Sequence, residues 1–155
     1  EGIKSGPSAK QLNYSGHMFG YRGGVDWEVL DSGSLGPLSG GVTPAASVSL
    51  TLPPGKKGLI IAVAANADLS TIPTVDTANG FTSQYTNDDP DNSLTMPVRM
   101  MDFEFLTSGS YDLPRFGSMT QGSSPGEHHA FWTALAYGEE PIVNLQTSPQ
   151  QAVLV

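Results

Sequence analysis

The chain has no cysteine among its 155 residues. That excludes a disulfide framework and any zinc site built on thiolates, and it leaves the redox compartment unreadable. Charge is scarce too: 14% of the residues are Asp, Glu, Lys or Arg, and the seven basic ones never run beyond the pair Lys56–Lys57. Against fifteen acidic residues they leave a formal net charge of −8. A surface of that sign repels phosphate backbones and anionic lipid, so neither direct nucleic-acid binding nor attraction to a membrane is expected. No apolar run reaches membrane-spanning length, and EGIKSGPSAKQ has no apolar centre of the signal-peptide kind. A phosphate loop, a dinucleotide fingerprint, a heptad seam and an internal repeat are all missing.

What is present is punctuation and alternation. Eighteen glycines and twelve prolines interrupt a sequence that is 38% hydrophobic. Such spacing suits short strands with tight turns, and the length suits one domain with a real core. Residues 1–15 read as an extended N-terminal arm, and 16–155 as a single β-sandwich domain.

Within HMFGYRGGVDWEVL (17–30) the odd positions Phe19, Tyr21, Val25, Trp27 and Val29 are apolar and the even ones mostly polar. This period of two predicts a strand whose odd row, Val25, Trp27 and Val29 above all, faces the core. Its even row would let Arg22 pair with Asp26, and Gly23–Gly24 marks a bulge or bend. DSGSLGPLSGGVTPA (31–45) reads as loop. SVSLTLP and GLIIAVAA flank the turn former PPGKKG, which predicts a hairpin over 47–65 with the second strand central and covered on both faces. Residues 66–93 read as loop apart from a short strand at GFTSQY. In LTMPVRMMDFEFL the apolar row changes parity at Met100–Met101, which predicts a bulge or corner, and Pro97 places the strand at an edge or at its own start. Residues 107–126 read as loop. HHAFWTALAY is preceded by Ser124, Pro125 and Glu127, which resemble a helix start, while its aromatic and Thr content favours a strand. QQAVLV is one more candidate strand. The pattern predicts an all-β, antiparallel sandwich, jelly roll or barrel.

Each candidate for chemistry has a plainer reading beside it. GSSPG (122–126) fits the G-x-S-x-G pattern around Ser124, yet a loop precedes the serine where a nucleophile elbow needs a strand. His128 and His129 are adjacent, so strand geometry sends them to opposite faces, and His17 is the only other histidine. His129 shares a row with Phe131 and Leu135, which favours a partly buried structural histidine. NDDPDNS (87–93) offers Asp88, Asp89 and Asp91 as hard oxygen ligands for calcium, against the reading of a solvated acidic turn. Asp26 and Glu28 would lie about 7 Å apart on one strand face, within the spacing of glycosidase carboxylates, but Arg22 there would hold them ionised. Asn13-Tyr14-Ser15 is a glycosylation sequon of the kind chance also produces. No catalytic residue, metal or cofactor is assigned from these.

The order of features resembles the C-terminal half of jelly-roll capsid proteins from picorna-like viruses of insect, invertebrate or environmental hosts. The aromatic, Arg-Gly and alternating run of Phe19, Tyr21, Arg22, Gly23, Val25, Trp27 and Val29 carries the likeness, followed by SVSLTLPPGKKGLIIAV, SLTMPVRM and FWTALAYGEEP. It spans residues 16–143 in short pieces, and the aromatic pair expected after Pro97 is absent. The resemblance implies a non-enzymatic structural subunit of an icosahedral virion, made in host cytoplasm and partnered by other capsid chains. It also implies the later strands of an eight-stranded roll, the earlier ones being missing, cleaved or on another chain, so that the fold is incomplete alone. Two other classes compete. One is a carbohydrate- or ligand-binding sandwich with Tyr21, Trp27 and Trp132 as stacking platforms and NDDPDNS as a calcium site. The other is a hydrolase using Ser124 or the Asp26–Glu28 pair. Exposure of Trp27 separates the first two readings, since the capsid likeness expects it buried.

Overall fold

The structure, a computed structural model, describes residues 21, 24–36, 38, 41–66, 71–87, 97–119 and 129–139. These form nine strands and no helix: β1 Gly24–Ser34, β2 Ser47–Leu50, β3 Lys57–Ala65, β4 Thr74–Thr77, β5 Thr82–Asn87, β6 Val98–Phe105, β7 Gly109–Asp112, β8 Arg115–Gly117 and β9 His129–Glu139. Five make one antiparallel sheet in the order β1-β9-β3-β6-β5, and β2-β7 and β4-β8 make two antiparallel pairs. β7 and β8 follow one another through Leu113–Pro114, so the two pairs share one line of chain. Backbone bonds from Leu113 to Ala46, Thr43 to Phe116 and Met119 to Gly41 extend the β2 side of that line back to residue 41.

The core lies between this line and one face of the large sheet. Ile60, Ala62 and Ala64 of β3, Met101 and Phe105 of β6, and Ala130, Trp132 and Ala134 of β9 meet Val48, Leu50, Leu113, Phe116, Met119 and Leu35. The alanine rows in the middle strands let the bulky residues opposite approach closely, and Phe116, Leu35 and Ile60 are sealed from solvent. Both layers of this core come from the one chain. Two buried polar groups stitch the connections. The Thr43 hydroxyl accepts from the Phe116 amide at 2.8 Å, and the Asn66 side-chain amide donates to the carbonyls of Thr71 (2.6 Å) and Ser118 (2.8 Å).

Several sequence expectations hold here. β3 is central, TSQY of the expected GFTSQY strand lies in β5, β6 begins just after Pro97, and HAFWTALAYGE is strand. The hairpin over 47–65 is wrong. Both strands exist, but β2 pairs with β7, and β3 with β6 and β9. The reason lies in the turn, where Gly55 takes φ +77° and the Lys56 amide donates to the Pro53 carbonyl at 3.2 Å. Pro54 then Gly55 is type II chemistry, which splays the flanking strands instead of twisting them into a ladder. The chain therefore steps from one layer to the other. It does so again from β3 to β4, β4 to β5, β6 to β7 and β8 to β9. β4, β7 and β8 fall where loop was expected, and the first strand runs on to Ser34. At Met100–Met101, β6 stays in regular register with β3. The irregularity sits opposite, between Ser83 and Tyr85 of β5. Both methionines are buried, one on each face of the sheet, which is why the apolar row changed parity.

Three of the six pairings are nested, β1 with β9, β2 with β7 and β3 with β6, while β3 also pairs with β9, and β4 and β5, consecutive in the chain, pair with β8 and β6. The joint of β4 and β5, Asn79–Gly80, takes φ of 49° and 86°, the positive pair of a type I′ turn.

Candidate functional site

The face of the large sheet turned away from the core is where the unusual chemistry collects. Antiparallel pairing places Phe131, Val63 and Met100 in one cross-strand row, Thr133, Ile61 and Asp102 in the next, and Val29, Leu135, Leu59 and Glu104 in a third. Ile61, Val63, Met100 and Leu135 floor an open groove of about 420 Å³, walled by Tyr21 and Trp27.

Trp27 reaches this wall through an irregularity in β1. Val25 pairs with Gly138 and Glu28 with Ala136, so Asp26 and Trp27 together stand against Tyr137 alone. Asp26 takes φ +52°, a left-handed conformation that aspartate tolerates better than most residues. The indole folds back so that its Nε1 donates to the Gly24 carbonyl at 2.9 Å, and its ring lies over the Gly24 Cα, where a side chain could not fit. Its other flank stacks on Tyr137, centroids 4.5 Å apart and 20° from parallel, and Tyr21 stands tilted 6.4 Å away. Lys56, from the PPGKKG turn, clamps the bulge. Its ammonium donates to the Asp26 carbonyl at 2.8 Å and to the Glu28 carboxylate at 3.0 Å.

Two carboxylates of β6 border the aromatic wall. Asp102 accepts the Tyr21 hydroxyl at 3.0 Å and the Gln84 amide at 2.8 Å, while Glu104 accepts the Tyr137 hydroxyl at 3.1 Å. Burial, then the bond to Asp102, raises the Tyr21 pKa well above the ordinary tyrosine value. Burial, then the bond to Glu104, pushes Tyr137 up to about 12. Both phenols are therefore donors at neutral pH and hold the carboxylates in place. Neither Asp102 nor Glu104 is ion-paired among the described residues. Lys57, itself paired with Glu139, is the cation whose field Glu104 joins.

This overturns the sequence reading of the first strand. Trp27 and Val29 do not face the core, being 39% and 67% exposed, while Val25, ahead of the bulge, is partly buried opposite Gly138. The one-residue insertion also breaks the alternation that would have set Asp26 and Glu28 on one face. Glu28 pairs with Lys56, and Arg22, the expected partner of Asp26, lies outside the described residues. Trp132 cannot join Tyr21 and Trp27 as a platform, because it is 8% exposed on the opposite, core-facing side, its indole over Gly33. His129 shares the outer row with Phe131 and Leu135 as expected, but it is exposed. Ser124, His17, His128 and the calcium candidates Asp88, Asp89 and Asp91 lie outside the described residues, as do residues 1–15, the sequon and QQAVLV. Among the described residues no three His, Asp or Glu side chains gather as a metal site would need, and no helix is long and apolar enough to cross a membrane.

A second depression, of about 370 Å³, lies on the other layer between Ala45–Ser47, Thr77, Asn79, Asp112 and Arg115. Its one cation is committed, since Arg115 pairs with Asp76 at 3.3 Å and donates to the Thr43 carbonyl at 3.1 Å. The aromatic groove is thus the site that residue chemistry singles out. No protein-family model, no curated protein and no solved structure matches the chain.

Proposed function

We propose that the chain is a non-enzymatic structural subunit of a non-enveloped icosahedral viral capsid, built on a jelly-roll sandwich and assembling through neighbouring capsid chains. The observation that carries this reading is the nested pairing of β1·β9, β2·β7 and β3·β6. Winding one long antiparallel ribbon so that its arms fall into two facing layers is how a jelly roll is made. The resemblance of the sequence to picorna-like capsid proteins points the same way. An outer sheet face with exposed Trp27, Val29 and Phe131 suits a chain that works in company. The −8 charge leaves genome contact to other chains in the virion. Sedimentation and electron microscopy of native material test this: closed particles containing the chain are expected, and a stable monomer under assembly conditions refutes it.

A second reading, a carbohydrate- or ligand-binding sandwich, is favoured by one observation, the half-exposed Trp27 beside Tyr21 in the groove. Glycan binding that quenches Trp27 fluorescence in a monomeric chain would put it first.

A further inference from the structure

Among the described residues the exposed large hydrophobics are Tyr21, Trp27, Val29, Phe131 and Leu106. The first four stand with the groove, on one face of one sheet. Apolar exposure gathered in this way marks an interaction surface, whereas scattered single residues need no explanation.

The polar atoms next to Trp27 narrow the choice of occupant. Its own Nε1 is bonded to Gly24, the Tyr21 and Tyr137 hydroxyls to Asp102 and Glu104, and the Gln84 amide to Asp102. A sugar ring stacked on the indole would find those donors already taken. What the wall still offers is apolar area, aromatic faces and negative charge. A carboxylate has about four lone-pair sites. Asp102 uses two of its own and Glu104 one, with no cation paired to either among the described residues. They stand two positions apart on β6, about 7 Å by strand geometry. An amine or guanidinium placed there would also lie near the Tyr21 and Trp27 rings, which attract cations. A second copy meeting this face would bring the same acidic strip and a charge of −8.

We propose that the groove binds an extended segment of another polypeptide in which apolar side chains alternate with lysine or arginine. The apolar row would lie on Ile61, Val63 and Leu135, and the basic groups would reach Asp102 and Glu104. The inference stands on the chemistry of this face and does not require the shell reading, since a chain that forms no particle would still bind the segment.

The test uses the full chain and three blocked ten-residue peptides that alternate valine with lysine, glutamine or glutamate. Trp27 fluorescence reports binding, and Trp27→Phe identifies its signal because Trp132 is buried on the other face. The lysine peptide should bind saturably, more weakly in high salt. Glu104→Gln, which keeps a partner for Tyr137, should weaken it about fivefold, the worth of one partly exposed charge pair. Val63→Glu should abolish binding in a chain whose far-ultraviolet dichroism is unchanged. Equal binding of the glutamine peptide, or a loss from Asp112→Asn on the opposite layer equal to that from Glu104→Gln, would overturn the proposal. So would a glycan that displaces the lysine peptide, or self-association that Val63→Glu abolishes.

Discussion

Gly58→Ala is the sharpest test of how the core is closed. Gly58 lies in β3 directly between Phe105 of β6 and Ala136 of β9. A Cβ built there would stand 2.1, 2.3 and 2.4 Å from three ring carbons of Phe105. Two effects of opposite sign compete. Alanine restricts the unfolded chain more than glycine, which stabilises by about 0.4–1 kcal/mol where the backbone is compatible, and β-strand geometry is. Against that, added volume in a packed core costs about 1–3 kcal/mol, and driving Phe105 off its rotamer costs about 0.5–1.5 kcal/mol more. The ring has no room to retreat, being 3% exposed and packed on Tyr111 at 4.7 Å. The clash wins, for a net loss of about 2 kcal/mol. In a domain of this size that lowers Tm by roughly 4–8 °C. Calorimetry of Gly58→Ala beside Phe105→Leu and the double variant decides it. Leucine removes the ring atoms in conflict, so the double variant should be little less stable than Phe105→Leu alone. A Gly58→Ala protein with unchanged or raised Tm refutes the close approach.

Gly24→Ala creates a similar conflict at the surface, with the new Cβ 2.3–2.9 Å from three indole atoms of Trp27. Because that ring borders solvent it should swing away at little cost in stability, and acrylamide quenching of Trp27 should rise. For Tyr137 the folded pKa of about 12 exceeds the ordinary 10, so the folded state holds its proton more tightly. That stabilisation is complete below pH 10 and disappears as pH rises through 12, the direction Tyr21 shares. Ultraviolet titration should find these phenols ionising late, and Glu104→Gln should bring Tyr137 down. Asn66→Ala removes the buried side-chain amide from its part-buried bonds to the Thr71 and Ser118 carbonyls and should cost about 1–3 kcal/mol in urea unfolding.

Legibility divided along a physical line. Strands whose pattern depends only on covering by a sheet were readable: β3 with its double-sided apolar run, β9 with its aromatic alternation, β6 starting after Pro97. Strands of three or four residues, such as TVDT and RFG, carry too little periodicity to stand out, and each is held by one partner found far along the chain. The two layers were likewise unreadable as a connection. PPGK announces a type II turn, and weighing that turn's splay would have argued against the hairpin. The groove was half legible: Tyr21, Trp27, Asp26 and Glu28 were singled out, while Asp102 and Glu104 were passed over as an ordinary alternating strand. A strict period of two was read through Asp26–Trp27, and nothing in the residue types announces an insertion at that point. The insertion reversed the predicted burial of Trp27 and Val29.

That insertion ties the fold to the site. β1 is an edge of the five-stranded sheet, and an edge with regular spacing invites pairing with any passing strand. The register shifts between Val25 and Glu28, and again between Val29 and Asp31, break the ladder its free side would offer. The first of them also throws Trp27 out of the row and onto Tyr137, while Lys56 fixes the geometry from the corner where the chain changes layers. Edge protection and groove wall therefore rest on the same two residues. A substitution that restored regular pairing at Asp26–Trp27 would remove the wall and expose the edge together. A strand approaching this end of the sheet would find the edge ladder interrupted and the aromatic face open beside it.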